Sequence, residues 1–210
     1  MRALATLFVA SAALGGATVG GVIAITLGPG GLLHRLRHLE QLAFTDPLTG
    51  LANRRLLDII DATQRIAVSG RVWAVMGDLD SFKAVNDRHG HPAGDALLQS
   101  VAGILRTHTR PGDFVLRLGG DEFALVLWSC SISEAEAVLS RIQRRVHELS
   151  PACSISFGVC AVRPTLPDER AVSGPVTRTV VVAALADADL ALMGERRNRQ
   201  GRRSVLVVQD

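Results

Sequence analysis

The sequence predicts an α+β sandwich preceded by one transmembrane helix. Three observations carry this. Strands and helices come in mixed order, not in the regular alternation of a doubly wound sheet. Two apolar runs, Phe114–Leu118 and Glu122–Trp128, flank Gly119-Gly120 and read as a hairpin in mid-chain. No charged residue occurs between Ala3 and Leu33.

Composition narrows the class. Charged residues make up 20% of the 210 and hydrophobic ones 48%, which excludes a disordered or collagen-like chain. What remains after the N-terminal segment is enough for a core without staples. The net charge is +3. That balance suits phosphate-bearing partners, although a modest arginine excess is more often a solvated surface. Lysine occurs once, as Lys83, against 23 basic residues in all. Cys130, Cys153 and Cys160 are odd in number and lack metal spacing, so they read as reduced thiols.

Three segments follow in order: residues 1–31 as membrane helix, 32–44 as connector, 45–210 as the domain. As a helix, Ala3–Leu27 would run roughly 37 Å, enough for a bilayer core of about 30 Å. Gly28-Pro29-Gly30-Gly31 ends it. Arg2 precedes the segment and Arg35 and Arg37 follow it, which puts the domain in the cytoplasm by the positive-inside rule. A cleaved signal peptide is the alternative, since Ala10-Ser11-Ala12 resembles a cleavage site. Gly16 and Gly20, spaced G-x-x-x-G, would let two such helices pack closely. Leu32, Leu36, Leu39 and Ala43 follow helical spacing and make the connector amphipathic.

Within the domain, Thr45–Asn53 is turn chemistry and Arg54–Val68 a helix. Val72–Leu79 is a buried strand that ends on acids, and Ser81–Asp87 a short helix. Gly90–Gly94 reads as a loop and Ala96–Arg106 as an amphipathic helix. After the hairpin come a helix over Glu134–Leu149 and a strand over Ser154–Val162. A Pro-rich loop over Arg163–Thr179, a helix over Val180–Glu195 and a strand over Ser204–Val208 finish the chain.

Asp78 and Asp80 close one strand, and Asp121 and Glu122 sit at the hairpin turn. If these strands pair, three or four carboxylates converge at one edge. Such a cluster repels itself unless a cation joins it, and hard oxygen ligands suit Mg²⁺ or Mn²⁺. Two ordinary acidic surface loops are the alternative. Lys83 could neutralise phosphate. Asn86 and Asp95 suit a nucleobase edge, although each alone is more often a cap or turn residue.

The motifs resemble those of the GGDEF-domain, or diguanylate cyclase, family. Arg117–Leu125 reads RLGGDEFAL, Asp46–Arg55 reads DPLTGLANRR, Asp78–Leu98 reads DLDSFKAVNDRHGHPAGDALL and Ser154–Val159 reads SISFGV. The resemblance covers Phe44 to Val208. It implies a palm-like sandwich similar to polymerases and adenylate cyclases, with an antiparallel-rich sheet flanked by helices. It also implies condensation of two GTP into cyclic di-GMP with release of two pyrophosphates. Asp78, Asp121 and the Leu79 carbonyl are implied to hold two Mg²⁺ (or Mn²⁺) per active site, with Glu122 helping to activate the 3′-hydroxyl. Ser81, Phe82 and Lys83 would line the triphosphate, and Asn86 and Asp95 would read guanine. Because one domain holds one GTP, the resemblance implies a homodimer. Arg110 and Asp113, spaced R-x-x-D, with Arg141, match the family's inhibitory site for its product. The expected place is the bacterial inner membrane, single-pass, with the catalytic domain in the cytoplasm.

Departures lie near the C-terminus, where the chain reads ADLALMGERRNRQGRR. Met193 stands where the family has tyrosine, Glu195 where it has alanine and Arg196 where it has lysine, and Gly201-Arg202 falls one residue late. Arg196 and Arg202 are the implied phosphate ligands. The arginine run has no accompanying aromatic, so nucleic acid is not an expected partner. An inactive domain acting as a receptor for GTP or cyclic di-GMP is the alternative function.

Overall fold

A computed structural model describes residues 43–58, 71–163, 176–198 and 205–208, those from 195 onward by backbone alone. The chain divides between Gln41 and Leu42, and every described residue belongs to the second unit. The N-terminal helix and all but residues 43 and 44 of the connector lie outside the described residues, as does Arg202. Among the described residues no helix is long and apolar enough to cross a membrane.

The six strands are β1 (Ala52–Asn53), β2 (Val72–Asp80), β3 (Phe114–Gly119), β4 (Glu122–Leu127), β5 (Ser154–Val162) and β6 (Val205–Val208). They form one sheet in the order β1-β3-β4-β2-β5-β6. The central pairs β3–β4, β4–β2 and β2–β5 are antiparallel, while β1–β3 and β5–β6 are parallel. The helices are α1 (Phe82–His89), α2 (His91–His108), α3 (Ile132–Leu149) and α4 (Arg178–Asn198).

Strand alternation sorts the core into two layers. Trp73, Val75 and Leu79 of β2, with Phe123, Leu125 and Leu127 of β4, face the apolar stripes of α2 and α3. Val72, Ala74 and Met76, with Ala124 and Val126, face Val181, Leu185, Ala188 and Leu192 of α4. Helix α4 lies so close to β5 that a Cβ on Gly158 would collide with the Ala188 carbonyl. The sheet is therefore covered on both faces, as the predicted sandwich requires.

Some bounds differ from the sequence reading. The predicted loop at Gly90–Gly94 is mostly helix, because α2 starts at His91. Pro92 fits a helix's first turn, where a missing N–H costs nothing. Gly90, at φ 81°, ends α1 and begins α2. Helix α3 starts two residues early because Ser131 and Glu134 form a capping box. Helix α4 runs beyond both predicted ends. The two-residue β1 was not expected, since its only signal is its parallel pairing with Leu116 and Arg117. Of the helix expected over Arg54–Val68, only its first turn falls within the described residues.

Candidate active site

The acids meet at one end of the sheet because β2 and β4 pair in a fixed register. Asp78 lies directly opposite Glu122 on β4 and opposite Ser156 on β5. The Leu79 amide donates to the Asp121 carbonyl at 3.3 Å, joining the strand end to the hairpin turn. Gly120 makes that turn at φ 53°, a conformation glycine adopts without strain. Asp78 and Asp121 are half-buried and Glu122 is exposed.

The cluster is sparser than three or four converging carboxylates. Among the described residues no three His, Cys, Asp or Glu side chains form a group able to hold a metal. Glu122 is exposed, and Asp80 is turned to the neighbouring strand. Its Oδ2 accepts hydrogen bonds from Ser154 Oγ at 2.8 Å and Ser156 Oγ at 2.7 Å, which ties it to β5. Two carboxylates and the Leu79 carbonyl remain. That donor set still fits Mg²⁺, which is commonly held by one or two carboxylates together with substrate phosphates.

The acids also act on a thiol that sequence reasoning missed. Cys153 is 1% exposed. Burial, followed by the charges of Asp80, Asp121 and Asp78, pushes its thiol up to about 11. Only three-dimensional proximity shows this, since no local pattern links Cys153 to Asp78.

Helix α1 leaves β2 directly through Ser81, whose φ of 63° is left-handed and rare outside glycine. The bend aims the helix N-terminus, with its free N–H groups, at the acid end, an arrangement that favours anions. Ser81 and Lys83 are exposed there, while Phe82 is half-buried against the core. One turn on, Asn86 Oδ1 is buried and accepts no hydrogen bond within the protein. It lies where a Cβ on Gly94 would sit, beside exposed Asp95, and the Phe82 ring packs against the same point. The structure thus brings Phe82 and Asn86 together at Gly94, which makes room for them, with exposed Asp95 the next residue in the chain.

A second network, also unforeseen, holds the turn in place. Arg117 donates from Nε and Nη2 to the Gly120 carbonyl at 3.1 and 2.8 Å. Its Nη1 pairs with Asp46 at 3.0 Å, both side chains being largely buried. Thr49 donates to the same Asp46 oxygen from its amide and its hydroxyl. Burial works to raise the Asp46 carboxyl, but Thr49 and Arg117 outweigh it and hold the group below the usual range.

The R-x-x-D residues lie at the far end of the β3–β4 hairpin. Asp113 accepts from the Arg110 amide at 2.9 Å and the Trp128 amide at 3.1 Å, so both oxygens serve the local turn. Arg110 is exposed and pairs with Glu134 of α3 at 3.6 Å. Arg141 is exposed two turns further along α3, on the same face. Arg196 lies in the last turns of α4.

Residues 43–172 match the family described as "Diguanylate cyclase, GGDEF domain". The bifunctional diguanylate cyclase/cyclic di-GMP phosphodiesterase MucR of Pseudomonas aeruginosa is 43% identical over 134 residues, 59% of this chain and 20% of that protein. An uncharacterized protein in the hutH 5′ region of Streptomyces griseus is 36% identical over 159 residues, 73% of this chain and 63% of that one. The chain thus spans less than two thirds of either relative. The coiled coil and GGDEF domain of DgcB from Caulobacter crescentus, solved with c-di-GMP, superimposes with a TM-score of 0.70 at 25% identity, covering 90% of this chain and 98% of that one. Diguanylate cyclase SiaD of Pseudomonas aeruginosa, solved with its activator SiaC, gives 0.64 at 29% identity over 90% and 71%. With the match running from the entry turn through β5, the chain belongs to the GGDEF-domain family.

Proposed function

We propose that the chain is a diguanylate cyclase, condensing two GTP into cyclic di-GMP with release of two pyrophosphates. One observation carries the reading. Two carboxylates at paired strand ends adjoin a helix whose Asn86 keeps a buried oxygen without a protein partner. The relatives named as diguanylate cyclases support it.

Asp78, Asp121 and the Leu79 carbonyl would hold two Mg²⁺ or Mn²⁺. Such ions, when bound, lower the pKa of a sugar hydroxyl and absorb charge on the leaving phosphates. Lys83 and the first amides of α1 bind the triphosphate, joined by Arg196 and Arg202. Asn86 and Asp95 hold the guanine edge, which satisfies the orphaned Asn86 oxygen. Glu122 accepts the 3′-hydroxyl proton as the 3′-oxygen bonds to the α-phosphorus and the bond to the β-phosphate oxygen breaks. A second copy of the chain brings the second GTP, so the dimer supplies proximity.

Cyclic di-GMP at Arg110, Asp113 and Arg141 would inhibit, and Glu134 must release Arg110 for it. Arg110→Ala therefore relieves product inhibition while leaving the initial rate nearly intact; persisting inhibition removes this part of the proposal. On sequence grounds, the apolar N-terminal segment anchors the chain in the inner membrane with the domain in the cytoplasm.

The departures at Met193, Glu195 and Arg196 favour a second reading, a receptor without turnover. Incubating the full chain with GTP and Mg²⁺ and chromatographing the products separates the two. Cyclic di-GMP supports the cyclase, whereas bound but unconverted GTP supports the receptor.

A further inference from the structure

Asp80 is the acid of this region that the proposed chemistry leaves without a role. It lies two residues after Asp78 on the same face of β2. It stands opposite Ser154 of β5, as Asp78 stands opposite Ser156. Both serine hydroxyls donate to one Asp80 oxygen, at 2.8 and 2.7 Å, the usual length of an O–H···O hydrogen bond. Ser156 is 2% exposed, so this bond forms in a setting where an unmet hydroxyl is costly. Strand β2 runs between β4 and β5, so the serines draw Asp80 toward one edge while Asp121 lies at the other. Asp80 still shares the local field, because it, Asp121 and Asp78 all act on the Cys153 thiol. No three of these acids close into a metal-holding group.

We propose that Ser154 and Ser156 are positioning residues that withhold Asp80 from the cation site. The inference rests on the cyclase reading above. A third carboxylate on the cation would occupy a position needed by a phosphate oxygen and cancel positive charge that the leaving pyrophosphate requires. The alternating serines of β5 prevent this by committing Asp80 to the neighbouring strand. A purely structural tie between strand ends would make the same bonds but would not govern cation affinity.

The full chain without nucleotide is titrated with Mn²⁺, and free Mn²⁺ is read by electron paramagnetic resonance. In the variant S154A/S156A, Asp80 loses both serine hydrogen bonds and Mn²⁺ binds roughly tenfold tighter, the scale on which outer-shell partners move metal affinity. Turnover at saturating GTP falls. Adding D80N to that variant returns Mn²⁺ affinity to the wild-type value, since the freed charge is gone. If the double variant does not fold, S154A alone changes one half-buried residue and shifts affinity in the same direction. Unchanged or weaker Mn²⁺ binding in folded S154A or S154A/S156A protein overturns the proposal. Wild-type protein that makes no cyclic di-GMP instead overturns the cyclase reading, an outcome the Mn²⁺ titration does not share.

Discussion

The β3–β4 turn connects two charged clusters built in opposite ways. At the entry turn, Asp46 faces Arg117 at 3.0 Å, and that guanidinium also holds the Gly120 carbonyl. Charge there is neutralised by the protein itself, and the result is a rigid joint. At the strand ends, Asp78 and Asp121 bring two acids together, with exposed Glu122 opposite Asp78. Like charges raise the energy of the free protein and are offset when a cation arrives. The neutralised cluster positions the turn, and the same-sign cluster on that turn is the one we propose a cation joins.

The sharpest way to break the comparison is Asp121→Ala. The variant should lose about 1000-fold in cyclic di-GMP formation. Its melting temperature should stay the same or rise, because a like charge is removed. A drop in melting temperature would show that Asp121 is part of the scaffold instead.

Arg117→Ala should act in the opposite sense. It strands the largely buried Asp46 and costs about 2 kcal/mol, below the range for a fully buried pair because both side chains are partly wet. A shifted denaturant midpoint checks it; an unshifted one would class Asp46–Arg117 with ordinary surface pairs.

Gly94→Ala tests the nucleobase side. Alanine favours the helix, so stability should hold, but its Cβ takes the place of Asn86 Oδ1. The KM for GTP should rise about tenfold, the equivalent of one hydrogen bond. An unchanged KM would detach Asn86 from guanine.

Smaller effects concern pH. The Asp46 carboxyl is lowered on folding. Its contribution to stability is therefore fully present above the unfolded value, about 3.9, and is lost as pH falls through the lower folded value. Acid unfolding of Asp46→Asn should be correspondingly less steep below about pH 4. Cys153, pushed up to about 11, should resist alkylation at about pH 8, because the thiolate is the nucleophile. Rapid labelling of the folded protein would contradict the buried, raised thiol.

Much of the proposed site could be assembled from the sequence because its parts are local. Asp78 to Asp95 is one stretch, and RLGGDEF carries both the turn and its acids. The layers were legible through strand alternation and helical stripes. The ties between distant segments were not. Arg117 meets Asp46 across 71 residues, and Ser154 meets Asp80 across 74. Pairings at that separation leave no period in the sequence, since register alone creates them. For the same reason Asp80 was expected among the converging acids, as nothing local to it signals that β5 claims it. The first turn of α2 was missed because Gly90, Pro92 and Gly94 carry the composition of a loop.

The most direct test of the central claim follows pyrophosphate and nucleotide together in one reaction. Product-free, folded full chain is mixed with GTP and Mg²⁺, and both products are quantified over time. The account predicts cyclic di-GMP and pyrophosphate in a ratio of one to two, both abolished in Asp121→Ala. No dinucleotide from wild-type protein, or equal synthesis by Asp121→Ala, would contradict it.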